Sequence, residues 1–580
     1  MASLERAFLH PNPVHHKWID DSELPLQRIY ACERNRASEL LLTQPVNGHV
    51  TTWTWATAIR EVRQIAGWLK AQNWPPGSRI VIFSRNSAWW LMADFAIWMA
   101  GHVSVPFFPA ASSGALTGLF RHSEPVACFL GQYDNPPEYG DEEVFGHVAF
   151  VTFPNFAGTH TPQGAIAWSE IVRTQHPLEG EPVRDKMDVA TVIYTSGTTG
   201  QPKGAMHTFQ GLSLMGKSME PLLGGPGKES ERILSYLPLA HIAERAIVEM
   251  NALLVPMEIY FTENQETFLT DLARARATIF FSVPRLFNRF QQKVFERVPE
   301  KKLKRLLALP LVGTILRKRI VKRLGLDHAR IVAGGGAATP VEAIRWYRKL
   351  GINFVEGYGM TETGITHVPL PGQYRLGFVG NASPCATTRV SPEGEVQIAG
   401  PMNMIGYFRN PELTEQAFTG DGYFRTGDRG MLDAAGRLRL VGRLKEEFKT
   451  AKGKFVVPAR IEELLSFSTL FESVAIFGAG LTLPFALAVL ASAKRHECAE
   501  ASGRAAVERE LVAVLEQVNP QLEQYERLRF IAISFEPWTT QNGFLTPTLK
   551  VRRPPLEQRF SAEYKAWEQQ GKKVVWLENE

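Results

Sequence analysis

The chain has 580 residues, of which 44% are hydrophobic, 21% charged and 10% aromatic, a globular composition that excludes collagen-like, low-complexity and disordered classes. Lys and Arg number 64 against 59 Asp and Glu, too small an excess over this length to argue for nucleic-acid binding, so any basic effect is local. Four cysteines, Cys32, Cys128, Cys385 and Cys498, form no CxxC spacing and are too few for a disulfide framework, which points to a reducing, cytoplasmic setting.

Residues 1–20 place Glu5 and Arg6 before a three-residue apolar run and lack the apolar core of a secretory signal. From about Trp55 short apolar runs alternate with helical patterns. Runs at 79–83, 102–106, 126–130, 148–153, 191–194, 233–237, 258–261, 278–283, 330–333 and 353–356 read as strands, and 59–70, 266–276 and 341–350 carry a 3.6-residue period. Strands apolar on both faces and separated by helices predict parallel sheets covered by helices, hence an α/β fold. The most hydrophobic stretch, 88–108, is long enough to span a bilayer, but it contains Asp94 and a turn at Gly101, so it reads as a core helix followed by a buried strand.

Residues 301–330 combine Lys301, Lys302, Lys304, Arg305, Arg317, Lys318, Arg319, Lys322 and Arg323 with an apolar centre at 306–316. Two readings stay open: a helix lying on the inner face of an anionic membrane through the stretch from Lys301 to Arg323, or a solvated helical hairpin over the core. After about Gly380, turn signals at 392–394, 420–422 and 433–436 space short strands as antiparallel hairpins, a small β-rich subdomain. From Lys445 a charged run leads into alternating strands and helices. The division expected is a large domain at 1–444 and a small, mobile α+β domain at 445–580.

The sharpest chemical feature follows the strand at 191–194: Tyr194-Thr195-Ser196-Gly197-Thr198-Thr199-Gly200-Gln201-Pro202-Lys203-Gly204. Five hydroxyls, three glycines and a lysine suit a polyphosphate, although the Walker A spacing fails at Pro202. No GxSxG elbow, HExxH pair or GxGxxG turn is present, which removes serine hydrolase, zinc peptidase and dinucleotide oxidoreductase readings.

The eleven-residue string resembles the phosphate-loop signature of the adenylate-forming (AMP-binding) superfamily, and further segments match in the same order as far as Arg553. Leu237-Pro238-Leu239-Ala240-His241 resembles the segment whose His lines the acyl-site entrance. Gly334-Gly335-Gly336-Ala337 resembles the adenine-side loop, and Glu356-Gly357-Tyr358-Gly359-Met360-Thr361-Glu362-Thr363 the loop that stacks an aromatic on adenine. The resemblance implies that Glu362 and Thr195 hold Mg²⁺, and that Asp428 in Tyr423-Phe424-Arg425-Thr426-Gly427-Asp428 accepts hydrogen bonds from both ribose hydroxyls. It also implies that Arg443 contacts ribose, that Lys445 is a hinge pivot, and that Lys449 approaches the nucleotide in one of two conformations. Leu545-Thr546-Pro547-Thr548-Leu549-Lys550 resembles the catalytic-lysine segment of long-chain fatty acyl-CoA synthetases. The expected reaction forms acyl-AMP from a medium-to-long-chain fatty acid and MgATP, then acyl-CoA with CoA; another carboxylic acid, such as an aryl acid, or a carrier-protein acceptor is the alternative.

Overall fold

The computed structural model describes residues 19–135, 139–155, 161–195, 202–223, 230–466, 468–498, 500–546 and 550–577. Two large sheets dominate. In the first, the strand order is Phe354–Glu356, Ile331–Gly334, Ile279–Ser282, Glu231–Ser235, Met257–Phe261, Leu40–Val46 and His49–Thr54; all pairs are parallel except the last. In the second, Gly406–Tyr407 and Lys203–Thr208 add antiparallel strands to a parallel set running through Val189–Thr195, Val103–Phe107, Arg79–Phe83, Ala127–Leu130, Ala149–Thr152 and Ile166–Ala167. The sheets are therefore mainly parallel with antiparallel edges, and the α/β pattern starts earlier than the sequence suggested, at the hairpin whose Asn47-Gly48 turn joins Leu40–Val46 to His49–Thr54.

Both sheets contribute to one core. Ile80, Ile82 and Ile193 of the second sheet and Ile233, Ile259 and Ile279 of the first belong to a single apolar cluster with the helices Ala88–Met99 and Phe209–Leu223. All twelve residues of Ala88–Met99 are buried, and Ser87 Oγ caps it by accepting from Trp90 N at 3.2 Å. Each large apolar side chain enclosed there contributes about 1.5–3 kcal/mol. Asp94 is tolerated because Arg245 donates to it from the six-residue π-helical turn Arg245–Met250, where Glu249 also accepts from Arg245 Nε at 2.9 Å. Among the described residues no helix is long and apolar enough to cross a membrane.

A four-stranded antiparallel sheet, Thr387–Val390, Glu395–Ala399, Phe424–Leu432 and Leu438–Arg443, follows. Beyond it the strands Phe471–Phe477, Phe485–Leu490, Ile531–Ser534 and Val574–Leu577 form another sheet. Its side chains alternate between faces: Ala486 and Ala488 pack with the helix Ala501–Val518, while Phe485, Leu487 and Val489 pack with Arg553–Phe560 and Tyr564–Gln569. This segment thus encloses apolar clusters of its own.

Candidate active site

The site is built at the ends of strands and the loops that leave them, where a parallel sheet exposes backbone polar groups to a crevice. Val189–Thr195 pairs with Lys203–Thr208 so that Thr195 lies opposite Lys203, and Thr195 Oγ1 donates to the Lys203 carbonyl at 3.5 Å. Thr195 and Lys203 therefore lie side by side. Ser196, Gly197, Thr198, Thr199 and Gly200 lie outside the described residues.

Across the crevice Ile331–Gly334 and Phe354–Glu356 run parallel, and Gly357 N donates to the Gly334 carbonyl at 2.9 Å, bringing the two glycine-bearing loops together. Glu356 is buried and accepts from Thr339 N, and burial pushes its carboxyl up to about 7. A Cβ at Gly359 would lie 2.1 Å from the Gly364 carbonyl oxygen, so only glycine lets the tight ribbon Tyr358–Met360 and Gly364–His367 close. That ribbon carries Tyr358, whose hydroxyl donates to Asp428 Oδ2 at 2.6 Å, while Arg443 Nε lies 2.8 Å from Oδ1. Asp428 and Arg443 are direct partners in the ladder between Phe424–Leu432 and Leu438–Arg443. Burial holds the Asp428 carboxyl above its ordinary range despite the Arg443 charge.

Glu362 is also nearly enclosed; its Oε1 accepts from Tyr407 OH at 2.9 Å and its backbone carbonyl accepts from Met404 N at 2.7 Å. Tyr407 sits on the edge strand Gly406–Tyr407, paired with Lys203–Thr208, so one edge of the sheet connects the glutamate to the phosphate-loop strand. Thr361 is fixed through its carbonyl, which accepts from His207 Nε2 at 2.7 Å.

Lys550, on the far segment, borders the crevice. Lys550 N donates to Thr546 Oγ1 at 3.0 Å and Thr546 N donates to the Lys550 carbonyl at 2.8 Å. Desolvation by the crevice walls, with the Arg443 guanidinium beside it, holds its ammonium below the usual lysine range, while Asp428, Glu362 and Glu446 act in the opposite sense. His241 feels the same group: enclosure and the Lys550 charge push its imidazole down to about 4, and its Nδ1 accepts from Ala243 N at 3.2 Å. His241 is neutral at pH 7.

A cavity of about 870 Å³ extends from these groups. His241, Gly336, Gly357, Tyr358, Gly359 and Lys550 share its wall with Met219, Leu222, Ile247, Phe268, Phe290, Ile365 and Val368. The segments of His241, of the glycine loops at 334–336 and 357–359, and of Lys550, distant in sequence, thus border one space with a long apolar lining, while Thr195 and Lys203 are not in its wall. Asp428 and Arg443 join it through Tyr358, while Glu362 is not in its wall. Ala337 and Thr361 are not in the cavity wall; neither are Lys445, in the turn Leu444–Glu446, nor Lys449, whose ammonium lies 4.6 Å from the Phe455 ring centre.

Three residues of this site escaped sequence reasoning. Glu244 Oε1 accepts from Ser235 Oγ at 2.9 Å and Tyr236 N at 3.2 Å, and Asn86 bridges the same loop by donating to the Leu237 carbonyl at 2.5 Å and accepting from Leu239 N at 2.8 Å. Together they hold the segment that presents His241. A polar run, Ser84-Arg85-Asn86-Ser87, directly after a buried strand was the available signal for Asn86. Tyr407 stands in Gly406-Tyr407-Phe408-Arg409-Asn410-Pro411-Glu412, which reads in sequence only as a turn before a helix.

Comparison with known proteins agrees with this geometry. The AMP-binding enzyme family model matches residues 32–408, and that of the AMP-binding enzyme C-terminal domain matches 447–570. The chain is 29% identical to the long-chain-fatty-acid–CoA ligase FadD15 of Mycobacterium bovis over 93% of its own length and 96% of the relative's. It is 27% identical to long-chain-fatty-acid–CoA ligase 1 of Homo sapiens, over 84% and 78%. Its fold superposes on the A domain of carboxylic acid reductase from Segniliparus rugosus, solved with AMP and a co-purified carboxylic acid, with a TM-score of 0.76, 20% identity and 94% of each chain covered. With the strand Val189–Thr195, both glycine loops and Lys550 falling inside the matched ranges, the chain belongs to the AMP-binding enzyme family.

Proposed function

We propose that the protein is an ATP-dependent acid–thiol ligase that activates a medium-to-long-chain fatty acid to acyl-AMP with release of pyrophosphate, then transfers the acyl group to CoA with release of AMP. The observation that carries this reading is the cavity of about 870 Å³, whose wall joins Lys550 and His241 to Met219, Leu222, Ile247, Phe268 and Phe290. A single space thus offers a cation for a carboxylate and an apolar lining for a chain. The names of the relatives at 27–29% identity support the same acid class.

In this reading the residues divide the work. Tyr358 and Gly357 face the base, Asp428 and Arg443 hold the ribose, and Thr195 to Gly200 with Lys203 hold the phosphates. Lys550 neutralises charge gathering between the carboxylate and the α-phosphate, where a fixed ammonium acts most strongly in the transition state. Neutral His241 borders the acyl entrance and leaves that charge balance undisturbed. The donor set at Glu362 and Thr195 fits Mg²⁺: a carboxylate with one oxygen committed to Tyr407 and a hydroxyl supply hard oxygen donors and leave the remaining positions to phosphate and water. When bound, the ion supplies charge neutralisation on the polyphosphate.

We place a division at Lys445, with residues 445–580 as a small unit that turns between the two half-reactions and swings Lys550 out of the crevice before CoA enters, Lys449 taking its place near the nucleotide. The setting is cytoplasmic, with the membrane contact argued below. The test is AMP production against saturated acids of graded length, with and without CoA. Rates that rise from C6 to C12 or longer and require CoA support the reading; preference for an aryl acid, or CoA-independent turnover with a phosphopantetheine carrier, overturns it.

A further inference from the structure

The basic segment folds as two helices, Glu300–Ala308 and Pro310–Arg323, joined at Leu309. Their close approach depends on Gly313, where a Cβ would sit 2.5 Å from the Leu307 carbonyl oxygen, and Arg317 Nη2 donates to that same oxygen at 2.8 Å. One side of the hairpin is seated. Leu303 and Ile320 are buried in a cluster with Phe287 and Phe290, and Phe290 on the helix Pro284–Arg297 also lines the acyl cavity.

The other side is bare. Leu309, Leu311, Val312 and Ile315 are 49%, 81%, 47% and 55% exposed, four of the ten large hydrophobic residues that stand exposed among those described, all within seven positions. The same hairpin, residues 300–323, carries nine basic residues against the single acid Glu300; the whole chain carries only +5, so the rest of it is net acidic. A strongly cationic hairpin with an exposed aliphatic tip matches an anionic surface with an apolar interior. Nucleic acid has no use for four bare aliphatic side chains, and protein interfaces are depleted in lysine.

We propose that this hairpin docks on an anionic lipid bilayer, with Leu309, Leu311, Val312 and Ile315 entering the acyl boundary and the lysines and arginines contacting headgroups. The consequence for catalysis rests on the fatty-acid reading: the helix Pro284–Arg297, which lines the cavity, runs directly into the seated hairpin, so the cavity wall is anchored at the surface where long-chain acids dissolve.

The experiment is co-sedimentation of the full-length protein, without ATP or acid, with vesicles of phosphatidylglycerol and phosphatidylcholine, and with phosphatidylcholine alone. Binding to the anionic vesicles is expected, weakening sharply at about 0.5 M salt as screening shortens the reach of the charges. The double variant Leu311→Asp/Ile315→Asp, altered only at exposed positions, is expected to lose about tenfold or more in partitioning, as is Lys301→Glu/Lys302→Glu/Lys318→Glu. Both variants keep their far-UV dichroism and their rate on a soluble short acid. No binding to anionic vesicles, binding unchanged in the Asp variant, or self-association through the tip that persists without lipid overturns the proposal. Because sedimentation is read without turnover, a failure of the acid assignment does not disturb this result.

Discussion

Glu244 shows how far a single buried group departs from its behaviour in water. Enclosed beside Ser235, with three backbone and hydroxyl donors around it, its carboxyl is pushed up to about 8 by burial, so it is protonated at neutral pH. Between the ordinary glutamate value and about 8 the folded protein binds the extra proton, and stability falls as pH rises through that window. Glu244→Gln is expected to abolish that slope in thermal unfolding between pH 5 and 8, with KM for the acid near wild type; an unchanged slope assigns it to another group. Glu362→Gln is expected to raise the Mg²⁺ concentration for half-maximal acyl-AMP formation, and Tyr407→Phe to do the same more weakly, since it removes only the bond that orients the carboxylate. Wild-type metal dependence in Glu362→Gln removes that residue from the metal site. Of these residues only Glu362 was legible in sequence, because its loop is a contiguous string; Glu244, Asn86 and Tyr407 act through partners 8 to 153 positions away, a proximity that folding creates.

At the scale of elements, the buried trio of Asp94, Arg245 and Glu249 joins the helix Ala88–Met99 to the turn Arg245–Met250, with Arg245 Nη1 also donating to Thr191 Oγ1 at 2.7 Å. Arg245→Ala leaves two acids without their cation in a fully enclosed site and is expected to cost about 3–5 kcal/mol. The exposed pair Arg345–Glu342 is the control, expected to contribute about 0–1 kcal/mol. Equal shifts in thermal midpoint for Arg245→Ala and Arg345→Ala contradict this. Strands such as Arg79–Phe83 and Phe485–Leu490 were readable because their apolar runs are long relative to their turns. Leu40–Val46 and His49–Thr54 were not, although Asn47-Gly48 is a strong hairpin signal, because His49–Thr54 is mostly exposed and polar and lacks an apolar period. The order of strands within each sheet, where Leu40–Val46 lies beside Met257–Phe261, depends on contacts some 200 residues apart and has no local signature.

At the scale of the molecule, the account requires two arrangements of residues 445–580, of which the present one places Lys550 in the crevice with His241, Tyr358 and Gly359. Lys550 and Lys445 then fail in opposite ways. Lys550→Ala is expected to lower acyl-AMP formation by about 10²- to 10³-fold, the usual loss for one preorganised charge-stabilising group, yet to convert supplied acyl-AMP and CoA to thioester near the wild-type rate. Lys445→Pro fixes φ at the turn Leu444–Glu446, so it is expected to form acyl-AMP and to transfer it poorly. The most direct test is single-turnover kinetics of each half-reaction in these two variants. The account predicts loss of the first half-reaction in Lys550→Ala and of the second in Lys445→Pro; loss of the same half-reaction to the same extent in both contradicts it.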